Sequence, residues 1–396
     1  MLSNLMPAAK DPILSQSLAC LQDVRVHKLD LGVGVYRNEQ GVTPILQAVK
    51  IAEERLLNAQ NSKVYVGLAG CESFNSAMME LLLSNNESRS RAVGVQTPGA
   101  SGALRLLADV ITISNPSAKI WMSDLSYANH APIMKAAGLE VAYYPYFDHK
   151  TKMVDEADML AALSSLGKND VVLLHGCCHN PTGADLSFAA WQAITQMANA
   201  QGFLPFIDMA YQGFGDGMEE DGAGFRYLAE RVPSYLIASS CSKNFGLYRE
   251  RTGIAVIASD TLKQSECIKS RIMECARSSY TMPPDHGAAI VRIILEDQAL
   301  KEHWLLEVTR MRQRIQGIRF TLVDVMQAQT NSHHFDFIAQ HKGMFSVIDA
   351  NTEQVKRLRE EFGVYLVEGG RINLAGLKES EIPFLAESLS AVMVKS

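Results

Sequence analysis

The chain has no patterned cysteines. Its seven (Cys20, Cys71, Cys177, Cys178, Cys241, Cys267, Cys275) are odd in number and show no C-x-x-C spacing. That argues against a disulfide scaffold or a thiolate zinc site and for a reducing compartment, so a cytoplasmic location is expected. Positive charge is not in excess: 37 Lys and Arg stand against 43 Asp and Glu, a net −6, which offers no electrostatic footprint for nucleic acid. No uninterrupted apolar run approaches the ~20 residues that span a bilayer, so no membrane segment is expected. The start, MLSNLMPAAKDP, lacks the basic and then apolar stretches of a secretory leader, and none is expected. What is present is core-forming material. Hydrophobic residues make up 47% and charged residues 20% of 396, which predicts a globular chain of two domains, or of one large and one smaller domain.

Periodicity divides the chain unevenly. Residues 29–36, LDLGVGVY, are strand-like but interrupted by Gly32 and Gly34, where backbone passes close to something. Thr43 and Pro44 read as the N-cap and first turn of a helix over 45–59. The segment 61–70, NSKVYVGLAG, is a glycine-rich connection carrying Tyr65. At 97–107, TPGASGALRLL, a turn leads into a helix starting near Ser101, whose free N–H groups suit an anion. From 120 onward short apolar strands (120–123, 141–144, 170–174, 204–207, 236–238, 253–258) alternate with helices (127–137, 155–165, 187–200). That rhythm predicts a mostly parallel sheet covered by helices on both faces. A long helix over 297–328, with apolar residues every three or four positions, is long enough to link two domains. Short strands at 335–338, 344–347 and 371–374, with helices near 352–362 and 380–393, predict a smaller α+β domain.

In an open α/β sheet, polar residues that follow apolar strands gather where ligands bind. Four such groups stand out: SDLSYANH at 123–130, HGCCHNPTG at 175–183, DMAY at 208–211 and SSCSK at 239–243. An Asp ending a buried strand, Asp208, needs either a structural partner or a cationic ligand. Joined in one crevice, these segments would supply a carboxylate (Asp208), a phenol (Tyr211), an amide (Asn180) and an amine (Lys243). Lys243 could form a Schiff base. Ser101, Gly102, Ser240 and Arg251 could clamp a phosphate monoester. Asp208 could pair with a protonated ring nitrogen. Aldehyde, phosphate and pyridinium together describe pyridoxal phosphate.

Taken together, HNPTG, D-x-A-Y-Q-G-F and S-K-N-F-G-L-Y-x-E-R are highly specific. With LGVGVYRNEQG, YVGLAG, TPGASGALR, ARSSYTMPP, MRQRI, GMFS and EGGRINLAG they give a chain that resembles, over almost its whole length, the aspartate/aromatic aminotransferase family of fold-type I pyridoxal-phosphate enzymes. The resemblance implies a seven-stranded, mostly parallel α/β sheet. It implies an arm and part of a small domain over 1–43, a large cofactor domain over 44–305 and a small domain over 306–396. It implies ping-pong transamination through Lys243, which would carry the cofactor covalently and move the substrate proton. Asp208 would hold the ring nitrogen protonated with His130 behind it. Tyr211 and Asn180 would bond the ring 3-oxygen, and Tyr127 would stack on the ring. Ser101, Gly102, Ser240, Ser242 and Arg251 would hold the phosphate, joined by Tyr65 from the partner of a homodimer. Arg371, helped by Asn180, would bind the substrate α-carboxylate. Arg277, also from the partner, would bind a distal carboxylate, and Gly34 and Phe345 would line the substrate side. No metal is implied.

Two departures bear on substrate range. The family commonly has SNPSWPNH where this chain has SDLSYANH, so the stacking ring is Tyr127 instead of tryptophan. Met282 stands where asparagine is usual, near Arg277, which leaves a more adaptable apolar wall. Transamination between L-aspartate or aromatic L-amino acids and 2-oxoglutarate is therefore expected. An aromatic-preferring enzyme, or a lyase or decarboxylase on the same scaffold, stands as the alternative. A dimeric binding module without activity is disfavoured by intact Lys243, Asp208 and Arg371.

Overall fold

The computed structural model describes residues 2–7 and 11–394, without the side chains of Ser3 and Pro12. Two compact units emerge, one of Pro44–Gln313 and one that joins Met1–Thr43 to Arg314–Ser396. Among the described residues no helix is long and apolar enough to cross a membrane.

The larger unit is built on seven strands, β1 (Ala92–Pro98), β2 (Lys119–Ser123), β3 (Glu140–Tyr144), β4 (Asp170–His175), β5 (Leu204–Met209), β6 (Tyr235–Ser240) and β7 (Thr252–Ala258). They lie in the spatial order β1-β7-β6-β5-β4-β2-β3. β7 runs antiparallel to both neighbours and every other pairing is parallel. β6 and β7 are buried at every position, as continuous apolar strands are when helices cover both faces. The fold is thus the expected mostly parallel α/β sheet of fold type I. Val93, Val95, Leu104, Leu107, Ile120, Phe206 and Ile257 belong to one face's core.

Three local expectations differ from what is found. In sequence, 97–107 reads as a turn leading into a helix, and no strand is expected over 92–98. The strand forms because Gln96 Nε2 donates to the Pro284 carbonyl (2.7 Å) while its Oε1 accepts from Cys71 N–H (2.9 Å), so buried polar groups are satisfied from distant segments. The helix after it accordingly starts at Gly99 (Gly99–Ser114). Thr43 and Pro44 do not cap the next helix, Gln47–Ala59. Thr43 Oγ1 donates to the Tyr36 carbonyl, while the Glu307 carboxylate accepts from Gln47 and Ala48 N–H at 2.7 and 3.0 Å. Residues 335–338 form a turn entering the short helix Phe337–Gln340 instead of a strand.

The smaller unit holds two short strand pairs: Leu29–Asp30 parallel to Val364–Tyr365, and Phe345–Val347 antiparallel to Arg371–Asn373. Helices Thr352–Phe362 and Ile382–Met393 close its core, in which Leu322, Met326, Phe335, Ile372 and Leu385 are buried together. The expected long helix spans Gln298–Thr330. In the larger unit its Trp304 stacks on Phe245 (4.3 Å between centroids) and donates to the Asn244 carbonyl (2.7 Å).

Candidate active site

Strand register gathers the polar segments. His175 lies opposite Asp208, Asp208 opposite Ala238, Met209 opposite Ser239, Ser240 opposite Gly253, and Pro98 opposite Thr252. The loop after β4, Asp208 on β5, the 240–243 turn after β6 and the helix start at Gly99 therefore share one edge of the sheet. Ser101, Gly102, Asn180, Asp208, Tyr211, Ser240, Ser242, Lys243 and Arg251 all belong to these elements, and Tyr127 and His130 follow β2 at the same edge.

Asp208 is buried, 6% exposed, against the fully buried His130, whose Nε2 is 2.8 Å from Oδ2. Asn180 N–H donates to His175 Nδ1 (3.4 Å), so the His175 proton sits on Nε2, facing Ser126 Oγ at 3.4 Å. Ser126 Oγ is then free to donate to His130 Nδ1 (2.8 Å), which leaves the His130 proton on Nε2, pointing at the carboxylate. Burial, then the neighbouring His130, lowers the His175 pKa to about 3, so this ring is a neutral link. Burial opposes ionisation of Asp208. The hydrogen bond from His130, with the Lys243 ammonium nearby, outweighs it and holds the carboxyl below its usual range. Ser126 and His175 were not singled out from sequence. Their only signal was position inside SDLSYANH and HGCCHNPTG.

The other carboxylate oxygen, Asp208 Oδ1, is buried and has no hydrogen-bond partner among the described residues. An ionised, buried acceptor left open fits a cationic N–H donor such as a pyridinium. The rest of the edge fits the other ends of pyridoxal phosphate. Lys243 Nζ lies over the Tyr211 ring, 4.8 Å from its centroid. Burial is the largest influence on this ammonium and pushes its pKa down to about 8. The Asp208 carboxylate pulls it up, and the Arg251 charge adds to the lowering. Asn180 Nδ2 donates to the Tyr211 hydroxyl at 3.2 Å, pairing two groups suited to a phenolate oxygen.

The phosphate end is assembled by backbone as much as by side chains. The first turn of Gly99–Ser114 presents N–H groups without intrahelical acceptors. Arg251 Nη1 donates to Ser242 Oγ (3.4 Å) and to the Tyr248 carbonyl (3.2 Å), and Ser242 N–H donates to Ser240 Oγ (3.0 Å). Gly99 has φ +69°, and a Cβ there would meet Arg251 Nη2 at 2.7 Å, so only glycine lets the guanidinium lie against the helix start. Tyr127 meets His130 edge-on, 5.3 Å between centroids.

Tyr65 and Arg277 stand apart. Tyr65 is 82% exposed in a segment without regular secondary structure, and Arg277 is exposed in the last turn of helix Leu262–Ser279. Among the described residues neither forms a hydrogen bond or ion pair with the cluster. In the smaller unit, Arg371 Nη2 donates to the Gly32 carbonyl and its guanidinium lies 4.5 Å from the centroid of Phe345, which in turn packs on Gly34. A separate buried cluster, Cys177, Cys178 and Asp221, has the composition of metal ligands. Its carboxylate, however, accepts from the N–H groups of Gly213, Gly215, Asp216 and Gly217, which occupies the oxygens a cation would need.

Comparison with known proteins agrees with this chemistry. The profile of the family described as "Aminotransferase class I and II" matches residues 26–389. An aromatic-amino-acid aminotransferase of Paracoccus denitrificans is 44% identical, with 100% of both chains covered. An aspartate aminotransferase of Salmonella typhi is 42% identical over 99% of this chain and 100% of its own. The crystal structure of an aromatic-amino-acid aminotransferase from Burkholderia pseudomallei, covalently bound to pyridoxal phosphate, superposes with a TM-score of 0.97 at 39% identity over 99% of each chain. A donor set that fits pyridoxal phosphate, on a chain alike from end to end to enzymes of this kind, makes the protein a member of the class I and II aminotransferases, a pyridoxal-phosphate-dependent enzyme that transfers amino groups between amino and oxo acids.

Proposed function

We propose that the enzyme moves the amino group of L-aspartate and of aromatic L-amino acids to 2-oxoglutarate, as a homodimer in which each subunit lends Tyr65 and Arg277 to the other. The site reading rests above all on the buried, unpartnered Oδ1 of Asp208. The dual range is supported by near-equal identity to relatives named for aromatic amino acids and for aspartate. The exposure of Tyr65 and Arg277 is consistent with service to a second copy.

Pyridoxal phosphate, when bound, supplies an aldehyde that takes up the amino group and a ring that withdraws electrons from the substrate Cα. Asp208 Oδ1 accepts the ring N–H, while His130, Ser126 and His175 keep the carboxylate ionised and oriented. The helix start with Ser101 and Gly102, together with Ser240, Ser242 and Arg251, binds the phosphate. Asn180 and Tyr211 would bond the ring 3-oxygen, and Tyr127 would lie against the ring. Lys243 Nζ, with a pKa near 8, is neutral often enough at physiological pH to take the proton from Cα. Arg371 reads the α-carboxylate bidentately, Gly34 and Phe345 flank the substrate, and Arg277 of the partner subunit reads a distal carboxylate. Glutamate is a co-substrate of either specificity, so Arg277 serves both. Met282 and Tyr127 leave room and polarisable surface for a ring.

The test compares kcat/KM for aspartate, tyrosine and phenylalanine with 2-oxoglutarate as acceptor. Appreciable rates with all three are expected. Phenylalanine slower than aspartate by more than about four decades, about 5.5 kcal/mol in transition-state binding, overturns the dual range.

A further inference from the structure

Arg319 is the most buried arginine of the smaller unit, 1% exposed, and nothing in the proposed chemistry uses it. It lies on the long helix Gln298–Thr330. A buried guanidinium is costly unless its donors find acceptors, and the two terminal nitrogens of Arg319 find theirs in one short stretch of chain. Nη1 donates to the Ile338 carbonyl (3.1 Å) and to Ser346 Oγ (2.7 Å). Nη2 donates to the carbonyls of Lys342 (3.3 Å), Gly343 (2.8 Å) and Phe345 (2.6 Å). Ser346 Oγ is also 3.0 Å from His341 Nδ1. The segment 338–346, which leaves the short helix Phe337–Gln340 and turns into the next strand, is thereby drawn into one shape around a rigid fork.

The segment ends in strand Phe345–Val347, which pairs with Arg371–Asn373 so that Phe345 faces Asn373 and Val347 faces Arg371. The Phe345 ring, 2% exposed, lies against the Arg371 guanidinium at 4.5 Å. The tip of the ring abuts Gly34, where a Cβ would come within 2.7 Å of Phe345 Cζ. Asn373 Nδ2 donates to the carbonyls of Val33 (2.6 Å) and Val35 (2.8 Å), which holds the Gly34 backbone against the ring. A guanidinium held over an aromatic ring is restrained in orientation, which limits the directions from which its N–H groups can meet a carboxylate.

We propose that Arg319 and Phe345 are positioning residues for Arg371: the buried fork of Arg319 fixes the 338–346 segment, and through the Phe345 ring it sets the plane of the guanidinium that receives the substrate α-carboxylate. This rests on the reading of Arg371 as the α-carboxylate residue. A carboxylate met in the wrong plane forms one hydrogen bond instead of two, so the effect falls on substrate binding and not on the cofactor.

The experiment uses the holoenzyme and the variants Arg319→Lys, Phe345→Leu and Arg371→Ala. It measures KM and kcat for aspartate, the single-turnover rate with a primary amine that lacks an α-carboxylate, and cofactor affinity by absorbance titration. For Arg319→Lys the expected result is a rise in aspartate KM of about tenfold with kcat changed less than about threefold, while the amine rate and cofactor affinity stay at wild-type values. Phe345→Leu, which removes the ring itself, raises aspartate KM by about tenfold as well, the order of a lost cation–π contact. If Arg319→Lys does not fold, Ser346→Ala removes a single acceptor of the fork, and a KM rise of about threefold is expected. An unchanged KM, or equal losses with aspartate and with the amine, overturns the proposal. Arg371→Ala separates the two claims. If it fails to weaken aspartate relative to the amine, the reading of Arg371 itself is wrong. If it does weaken aspartate while the other variants do not, only the positioning claim fails.

Discussion

The depressed pKa of Lys243 makes a prediction about cofactor capture that does not depend on turnover. A lysine at its ordinary 10.5 is neutral at pH 7 in roughly three molecules of ten thousand, whereas at about 8 it is neutral in roughly one of ten, a gain of about three-hundredfold. Only the neutral amine attacks an aldehyde. Mixing cofactor-free protein with pyridoxal phosphate and following absorbance near 360–430 nm should give a rate constant that rises about tenfold per pH unit and levels off near pH 8. The Asp208 carboxylate pulls the lysine pKa upward, so Asp208→Asn should move that plateau to lower pH even though it weakens later chemistry. The sign is informative, because a purely structural disturbance that let water in would move the plateau toward 10.5. A rate still climbing above pH 10 in the wild-type protein refutes the claim that burial has tuned Lys243. A plateau raised by Asp208→Asn refutes the assigned role of the carboxylate.

Two further outcomes test the scaffold. Gly99→Ala forces a Cβ against Arg251 Nη2 at a backbone angle of +69° and should weaken pyridoxal phosphate binding by about tenfold or more in equilibrium dialysis; unchanged affinity would remove Arg251 from the phosphate site. Asp221→Ala strands the four N–H groups of the 213–217 turn and should cost about 3–5 kcal/mol, read as a Tm lower by several degrees; an unaltered Tm would mean that the turn finds other acceptors.

How much was legible in advance depended on where the determining contacts lie along the chain. β4 to β7 announced themselves as apolar runs because their burial on both faces is written into consecutive residues. β1 did not, because the polarity of Gln96 is answered by Pro284 and Cys71, far away in sequence. The helix after Thr43 shows the same limit. A local N-cap pattern was present, yet the cap came from Glu307, on another helix. Within the candidate site, Lys243, Asp208 and Asn180 were conspicuous because each lies in a polar segment at or just after the end of an apolar run. Ser126 and His175 were not, because a serine in a loop and a histidine at a strand end mean nothing until register sets them beside His130.

The sequence alone determined the sheet, the cofactor chemistry and the family, since strands, a lysine and a phosphate-binding turn are each specified by neighbouring residues. Tertiary structure alone decided how those groups are tuned. The proton arrangement behind Asp208, the lowered pKa of Lys243 and the fork of Arg319 all arise from desolvation and hydrogen bonding in which the decisive pairs, Ser126 with His175, His130 with Asp208 and Arg319 with Ser346, are tens of positions apart. Such effects depend on distance and burial in space, and no local pattern of residues encodes them.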